Sequence, residues 1–249
     1  MQNSAKKPVA IITGASRGVG AATALLLASK GWNVTITCSS TIKEANEIAK
    51  LCEAYDVEAL AIQADVSIDA DCKNTIEQTV KKWGRIDALI NNAGTTKFAW
   101  DHSNLDLLDA EDFQKVYGVN LIGPFQMIKA SKEFLMKSDN PSITNVSSIA
   151  GIKGIGSSIA YAASKGALNT MTISMARNLG PIRVNAICPG FIDGEWLKVA
   201  LGEDLFNTAK TNLESSVPLK SVATPETIAE SILAFRSLNK NATGQLLIL

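Results

Sequence analysis

Seven short runs rich in apolar residues alternate with longer segments of helical periodicity along the chain. The runs are VAIIT (9–13), NVTITC (33–38), EALAIQAD (58–65), IDALINNAG (86–94), SITNVSS (142–148), IRVNAICPG (182–190) and QLLIL (245–249). Residues 20–30, 42–54, 69–83 and 161–179 show the spacing of amphipathic helices. Strands that are apolar on both faces and alternate with helices are typical of a parallel sheet covered on both sides. The pattern therefore predicts a doubly wound α/β fold.

The domain organisation follows from length and from the even composition of the chain. The 249 residues are enough for one substantial core, and no linker, repeat or low-complexity stretch divides them. We therefore expect residues 1–249 to form a single domain. The segment 193–219 is the least regular, and we expect it to be a mobile helical flap over the functional site.

Charge and cysteine usage exclude several classes of function. The formal net charge is +0 and no basic or acidic block is present, which argues against nucleic-acid or membrane-surface partners. The first residues lack the apolar core of a signal peptide, and no stretch approaches the ~18 apolar residues of a membrane helix. We expect a cytoplasmic protein with a small ligand. The four cysteines lack metal-ligand spacing, so we expect reduced thiols and no metal site.

Glycine and small polar residues follow several of the apolar runs. In parallel α/β sheets, ligands bind beyond the carboxyl ends of the strands, where these residues would meet. Glycines in a turn from a strand to a helix let backbone N–H groups approach a diphosphate. The alternatives are a tight turn, a helix cap at Asp65 and a turn at the asparagine pair. The predicted cofactor contacts in these stretches are Thr13, Gly14, Ser16, Arg17, Gly18, Val19, Gly20, Asp65, Val66, Asn92, Ala93 and Gly94.

The residues after the second run bear on which dinucleotide is bound. Enzymes that use the unphosphorylated cofactor usually place Asp or Glu there for the ribose 2′-hydroxyl. This chain has Cys38, Ser39 and Ser40 instead. Two hydroxyls can donate to a 2′-phosphate, and Arg17 can add a charge-assisted contact. The sequence thus predicts that NADP(H) is preferred over NAD(H); a solvated surface role is the alternative for Arg17.

Tyr161 and Lys165 stand four residues apart in Y-A-A-S-K-G-A-L, within a predicted helix. That spacing places both side chains on one helix face. An ammonium beside a phenol stabilises the phenolate, so we expect Lys165 to lower the pKa of Tyr161, which then donates a proton to a carbonyl. Lys165 can also hydrogen-bond a cofactor ribose. Taken alone, the pair also fits an ordinary surface helix.

Three more polar residues are candidates for the same cleft. Ser147 and Ser148 end the fifth run, where a hydroxyl can polarise a substrate oxygen. Asn120 follows a helical segment, residues 113–119, and its side chain is expected to hold a water that reprotonates Lys165.

The ordered set T-G-x-x-x-G-x-G, D-V, N-N-A-G, Asn120, S-S, Y-x-x-x-K and P-G resembles the short-chain dehydrogenase/reductase family over essentially the whole chain. The resemblance implies a Rossmann-type sheet of about seven parallel strands. It also implies hydride transfer between a nicotinamide and a carbonyl or alcohol, and a homotetramer or homodimer.

Individual roles follow from the same resemblance. It makes Tyr161 the acid/base, has Lys165 lower the tyrosine pKa and bind the ribose, and has Asn120 support the proton relay. The family's spacing of thirteen before the tyrosine selects Ser148 over Ser147. The turn after the sixth run resembles the one that contacts the nicotinamide end, through Pro189, Gly190 and Ile192. One departure is Gly194, where relatives commonly have a threonine.

The substrate stays open at this point. The chain is similar to bacterial 3-oxoacyl-acyl-carrier-protein reductases, but a broad-specificity ketone or sugar-alcohol dehydrogenase fits nearly as well. A dinucleotide-sensing or scaffold protein is the alternative without catalysis, and it would be expected to lack Tyr161 or Lys165. Trp196 and Phe191 are candidates for the substrate pocket or for packing. The single histidine, His102, is expected to be a solvated loop residue.

Overall fold

The computed structural model describes residues 7–40, 42–237 and 240–249. Within these ranges seven strands form one parallel sheet, which confirms the predicted fold class. The strands are β1 (Val9–Ile12), β2 (Asn33–Cys38), β3 (Ala59–Gln63), β4 (Ala88–Asn91), β5 (Ser142–Val146), β6 (Arg183–Cys188) and β7 (Leu246–Ile248). Each lies inside the apolar run that predicts it.

The order of strands across the sheet is β3-β2-β1-β4-β5-β6-β7. The chain therefore builds outward from β1 in one direction and then, from β4 onward, in the other. The reversal lies between β1 and β4, which pair in register from Ala10 opposite Ala88 to Ile12 opposite Ile90. Such a switch point opens a crevice at the carboxyl edge of the sheet, where ligands of this fold class bind.

Helices cover both faces of the sheet. They are α1 (Gly18–Ser29), α2 (Ile42–Glu53), α3 (Asp69–Trp83), α4 (Ala110–Tyr117), α5 (Gly123–Leu135), α6 (Ala150–Lys153), α7 (Ile159–Asn178), α8 (Glu195–Leu201), α9 (Glu203–Ser216) and α10 (Pro225–Ser237). A π-helical segment, Gly118–Ile122, joins α4 to α5. Asp109 caps α4 through a reciprocal capping box with Asp112 and so fixes its start.

The apolar strands feed two cores, one on each face. In β1, Ile12 packs into the cluster with Leu27 and Ile228, whereas its neighbour Ile11 packs into the other cluster with Met127. Successive side chains of a strand point to opposite faces, so both must be apolar in a sheet that is covered twice. This explains why the runs show no polar alternation.

Two further predictions concern elements outside this sheet. The first six residues, on which the expectation about a signal peptide rests, lie outside the described part. Among the described residues, no helix is both long and apolar enough to cross a membrane. The irregular segment 193–219 contains α8 and α9, so the helical part of that prediction agrees with the structure.

Candidate active site

A cleft of about 760 Å³ lies at the carboxyl edge of the sheet. The loops after β1, β2, β3, β4, β5 and β6 all contribute to its wall, so residues far apart in the sequence meet there. Most of the predicted site residues line it. Those that do are Gly14, Ser16, Arg17, Val19, Ser39, Ser40, Asp65, Val66, Asn92, Ala93, Gly94, Ser148, Tyr161, Lys165, Pro189, Gly190 and Ile192.

Four predicted residues are absent from the wall: Thr13, Gly18, Gly20 and Asn120. Thr13 is buried, and its Oγ1 accepts hydrogen bonds from the backbone N–H groups of Asn92 and Ala93 at 3.0 Å each. A Cβ on Gly20 would lie 2.6 Å from the Gly14 carbonyl oxygen. Thr13 and Gly20 therefore support the glycine loop from the side that does not face the cleft.

The glycine loop rests directly on the N-N-A-G turn. Gly14 has φ +60°, and a Cβ there would lie 2.8 Å from the Cα of Ala93. Asn92 Nδ2 donates to the carbonyls of Thr13 and Gly14, both at 2.9 Å. The asparagine turn thus fixes the loop, a structural task in addition to the predicted cofactor contacts of Asn92, Ala93 and Gly94.

The start of α1 is open to an anion. Its N-cap, Arg17, is extended and makes no side-chain cap, and the first turn contains no acidic residue. Uncapped N–H groups and the positive end of the helix dipole attract phosphate. A side-chain-free turn at Gly14 and an uncapped helix start fit the diphosphate of a dinucleotide.

The pocket beyond the glycine loop carries hydroxyls and a cation. Ser39 and Ser40 follow β2, and both line the cleft with Arg17. The Arg17 side chain is exposed, and no ion pair involves it among the described residues. Asp65 uses Oδ1 to accept bonds from the N–H and the hydroxyl of Ser67, at 2.9 and 2.7 Å. It caps that turn and still lines the cleft, so both of its predicted roles are compatible with the structure.

Tyr161, Lys165 and Ser148 come together on the other side of the cleft. The Ser158 hydroxyl accepts a bond from the Tyr161 N–H at 3.1 Å and so caps α7 just before the tyrosine. One turn on, Lys165 Nζ donates to the Val146 carbonyl of β5 at 2.8 Å and lies 5.7 Å from the Tyr161 ring. The strand and the helix thereby hold the two side chains together.

The two adjacent serines have different surroundings. The Ser147 hydroxyl is buried and donates to the Lys165 carbonyl at 3.2 Å. The Ser148 hydroxyl faces the Tyr161 phenol and lowers its pKa. Of the two, Ser148 is therefore the one placed to share a substrate oxygen with Tyr161.

One electrostatic expectation is wrong. Burial raises the pKa of Tyr161, and the hydrogen bond with Ser148 opposes this only in part. Burial also lowers the pKa of Lys165 to about 8. Both groups lose water on burial, and this loss sets the direction of both pKa shifts, which the sequence alone does not show. The phenol is therefore protonated at neutral pH, the form that can donate to a carbonyl.

Asn120 lies in the π-helical segment between α4 and α5 and is fully buried. Its Nδ2 donates to the Thr95 carbonyl at 2.9 Å and to the Ser164 hydroxyl at 3.0 Å. Its Oδ1 accepts from the Thr95 N–H at 2.8 Å. Both amide hydrogens are engaged, so the expected water could be held only through a lone pair of Oδ1. π-helical turns are frequent at functional sites.

The turn after β6 closes the far end of the cleft. The Gly190 N–H donates to the Leu249 carbonyl at 2.9 Å, and the Pro189 carbonyl accepts from the Ile149 N–H at 2.9 Å. Gly194 is extended, and a Cβ added there would meet its neighbours at 3.7 Å or more. A Cβ is therefore accommodated at Gly194, and neither close approach nor backbone conformation requires a glycine there.

Sequence reasoning misses several residues of the site. Thr95, Trp100 and Ile155 line the cleft but belong to loops without a periodic pattern. Gly151 is missed as well: a Cβ there would lie 2.4 Å from the carbonyl carbon of Lys165, so α6 approaches α7 closely only because of this glycine. Its one sequence indication is a glycine within a short helix, which is too weak to identify it.

Trp196, Phe191 and His102 all lie in or beside the cleft. Trp196 lines the cleft, with its ring 6.3 Å from that of Tyr161. Phe191 also lines the cleft, and its ring centroid lies 5.2 Å from that of the buried Phe206. It therefore contributes both to the pocket and to core packing. His102 Nε2 lies 3.1 Å from the Gly156 carbonyl, at the edge of the same region.

A parallel sheet with a glycine-rich turn at its switch point, facing a tyrosine and a lysine, defines an oxidoreductase of the Rossmann type that uses a nicotinamide dinucleotide. The chain belongs to the short chain dehydrogenase family, whose model matches residues 8–203. It is 36% identical over 243 residues to the 3-oxoacyl-acyl-carrier-protein reductase FabG of Thermotoga maritima, covering 96% of this chain and 94% of that protein.

Solved structures agree with this assignment. A structure assigned to the short-chain dehydrogenases/reductases of Burkholderia xenovorans matches with a TM-score of 0.90 and 42% identity, over 99% of this chain and 97% of that one. Xylitol dehydrogenase with NAD+ bound matches with a TM-score of 0.87 and 27% identity, over 97% of each chain. The relatives thus include reductases of acyl thioesters and dehydrogenases of sugar alcohols.

Proposed function

We propose that the protein is an NADP(H)-dependent oxidoreductase that interconverts a carbonyl compound and a secondary alcohol. The observation that carries the proposal is one cleft holding Tyr161, Lys165 and Ser148 at one end and the open start of α1 at the other. The bound nicotinamide would supply or accept the hydride. The remaining chemistry belongs to residues of this chain.

In the direction of reduction, the Ser148 hydroxyl binds the substrate carbonyl oxygen, and Tyr161 donates its phenolic proton to that oxygen as the alcohol forms. The phenolate left behind is stabilised by the Lys165 ammonium, 5.7 Å from the ring. Lys165 also binds the cofactor ribose. Asn120 is fixed behind Gly94. It supports the return of a proton by holding a water on the lone pair that remains on its Oδ1.

Support for NADP(H) comes from the pocket beyond the glycine loop. Ser39 and Ser40 stand where an acidic residue would bind the 2′-hydroxyl, and the exposed Arg17 lines the same cleft. Among the described residues that line the cleft, Asp65 is the one carboxylate, and it is partly engaged by Ser67. The NAD+ in xylitol dehydrogenase is a property of that relative, which is 27% identical to this chain.

Reduction of 3-oxoacyl thioesters is one candidate activity, favoured by the likeness to FabG over nearly the full length of both chains. A broad-specificity ketone or sugar-alcohol dehydrogenase is the other, favoured by the likeness to xylitol dehydrogenase. A cytoplasmic location, a single domain and closure of a flap over 193–219 stay predictions.

Assembly into a homotetramer or homodimer is supported by exposed apolar side chains outside the cleft. Phe125 on α5 and Ile173 on α7 are 47% and 36% exposed, and Leu247 and Ile248 on the edge strand β7 are 37% and 53% exposed. Exposed apolar side chains of this size are commonly covered by another subunit when they lie together. Light scattering on the purified protein tests this.

Initial rates with NADPH, measured against acetoacetyl thioesters, simple ketones and quinones with NADH in parallel, test the proposed function. We expect turnover of at least one carbonyl class, with a higher kcat/KM for NADPH. Binding of NADPH without hydride transfer to any member of the panel would favour the dinucleotide-sensing alternative.

A further inference from the structure

Two aromatic side chains that line the cleft, Trp100 and Trp196, form a continuous group with Phe98 and Tyr161. We refer to Phe98, Trp100 and Trp196 as the aromatic wall. Phe98 and Trp100 are stacked, with ring centroids 5.4 Å apart and planes inclined by 26°. Phe98 lies 5.9 Å from Trp196, which in turn lies 6.3 Å from Tyr161. The rings thus lead from the surface to the proton donor.

The wall leaves much apolar surface uncovered. Trp100 and Trp196 line the cleft and are 48% and 45% exposed, and Ile155 in the same cleft is 50% exposed. Clustered exposed side chains of this size mark binding surfaces more often than isolated ones do. A ligand that reaches Tyr161 passes beside these residues and can bury them.

Hydrogen bonds hold the wall in place relative to Tyr161. The loop that carries Phe98 and Trp100 binds the segment just before α7, since the Ala99 N–H donates to the Ser157 carbonyl at 2.7 Å. The Thr96 and Ser157 hydroxyls also lie 2.7 Å apart. The Phe98 and Trp100 part of the wall is therefore anchored to the same segment that starts the helix of the catalytic tyrosine.

Among the described residues, the charged side chains that line the cleft lie outside the segments that carry the wall, and the other charged side chains of those segments do not line it. The charged side chains that line the cleft, among the described residues, are Arg17, Asp65, Lys115 and Lys165. None of them belongs to the wall or to the segments that carry it. The one lysine of the loop, Lys97, does not line the cleft and is paired with Asp112 at 3.6 Å. A substrate carboxylate or phosphate beside the wall would gain no charged partner from the cleft-lining residues of these segments, and desolvating it without a partner is costly.

We propose that the aromatic wall selects neutral ketones and secondary alcohols that carry an aromatic ring, over acyclic and over anionic carbonyl substrates. The inference rests on the proposed carbonyl chemistry at Tyr161 and adds the substrate class. Ring faces and edges packed against Trp196 and Trp100 gain offset-stacked and edge-to-face contacts beyond plain burial, which an alkyl chain does not.

The test compares three methyl ketones that differ in one substituent: 4-phenyl-2-butanone, 2-butanone and the carboxylate 4-oxopentanoate. With NADPH, we expect kcat/KM for the phenyl ketone to exceed that of each of the others about tenfold or more. Trp196→Leu should lower the ratio of phenyl ketone to 2-butanone about tenfold, equivalent to about 1.4 kcal/mol. Trp196→Phe should restore most of it, because a ring is kept.

Val199→Ala is the matched control, since Val199 lies on α8 with Trp196, is 75% exposed and does not line the cleft. It should leave the ratio unchanged. A ratio that stays within twofold in Trp196→Leu, or a 4-oxopentanoate kcat/KM equal to that of the phenyl ketone, would overturn the inference.

A binding measurement separates this inference from the proposed function. Calorimetry with the Tyr161→Phe variant and NADPH should show tighter binding of 4-phenyl-2-butanone than of 2-butanone, independent of turnover. Reduction of all three ketones without a preference would overturn the substrate class and leave the proposed function standing. Preferential binding of the ring without hydride transfer in the native protein would overturn the proposed function and support the wall as a ring-binding site.

Discussion

Replacing Arg17 with alanine should weaken the binding of NADPH far more than that of NADH. Arg17 is exposed in the wall of the cleft, and among the described residues it forms no ion pair that its removal would break. As the N-cap of α1 it contributes no side-chain hydrogen bond, so the helix keeps its start. The change therefore acts on the ligand and spares the fold.

The magnitude follows from the contact that would be lost. A hydrogen bond to a charged group contributes about 1.5–3 kcal/mol, and solvent screening at an exposed site favours the lower end. With 1.4 kcal/mol per tenfold, KM for NADPH should rise about 10- to 30-fold. KM for NADH should change by less than about twofold, because NADH has no 2′-phosphate for the guanidinium to meet.

Steady-state kinetics with both cofactors provide the assay, with Arg17→Lys and Arg177→Ala as controls. Arg17→Lys keeps the charge but loses the planar fork, so its effect should be intermediate. Arg177, near the end of α7, is exposed and does not line the cleft, and its replacement should affect neither cofactor. Equal increases in KM for NADPH and NADH in Arg17→Ala would refute the assignment of Arg17 to the phosphate.

Three further changes test other parts of the account. Gly14→Ala combines a left-handed φ with a Cβ 2.8 Å from the Ala93 Cα, whereas Gly31→Ala shares the positive φ in open space. In thermal unfolding the first should cost more than the second by roughly 1 kcal/mol or more, about 2–4 °C in Tm, and equal shifts would contradict the close approach. The pKa of Lys165 is lowered to about 8, so the rate of ketone reduction should fall as pH rises through about 8 and the ammonium is lost. Since the same group binds fewer protons folded than unfolded above that pH, its contribution to stability rises there, and circular dichroism should show an intact fold while activity declines. A rate independent of pH between 7 and 9.5 would argue against a charged Lys165 in the mechanism. Gly194→Thr should lower KM for the cofactor without loss of Tm, because a Cβ there meets its neighbours only at 3.7 Å or more; a raised KM would show that the glycine is required.

The sheet is predictable from the sequence because its strands are apolar on both faces. The run 33–38 coincides with β2, while the run 86–94 exceeds β4, which ends at Asn91. The strand stops there because the next backbone N–H, that of Asn92, donates to the Thr13 hydroxyl and leaves the ladder. Such a bond between distant loops has no local pattern.

The π-helical segment around Asn120 also escapes prediction. The sequence indicates a helix over 113–119, but α4 ends at Tyr117, and the five residues that follow are too few for a periodic pattern to distinguish π from α. The direction of the pKa shift of Tyr161 is not predicted for a different reason. Spacing alone reports that Lys165 is near, whereas the direction of the shift depends on burial contributed by many distant residues.

The aromatic wall is the clearest case of a feature that only the fold assembles. Phe98 and Trp100 are nearly a hundred residues from Trp196 in the chain, and they meet because the loop after β4 and helix α8 both close the same end of the sheet. The catalytic residues are easier to predict from the sequence, because Tyr161 and Lys165 lie four residues apart on one helix.

The central claim, that Tyr161 supplies the proton for carbonyl reduction, is tested most directly by the Tyr161→Phe variant. Its kcat with NADPH and a reducible ketone should fall at least about 100-fold, the usual contribution of a positioned general acid, while the Kd for NADPH measured by fluorescence titration stays within about twofold. Only the hydroxyl is removed, so the ring and its contact with Trp196 remain. An unchanged kcat in a variant that binds NADPH normally would contradict the claim.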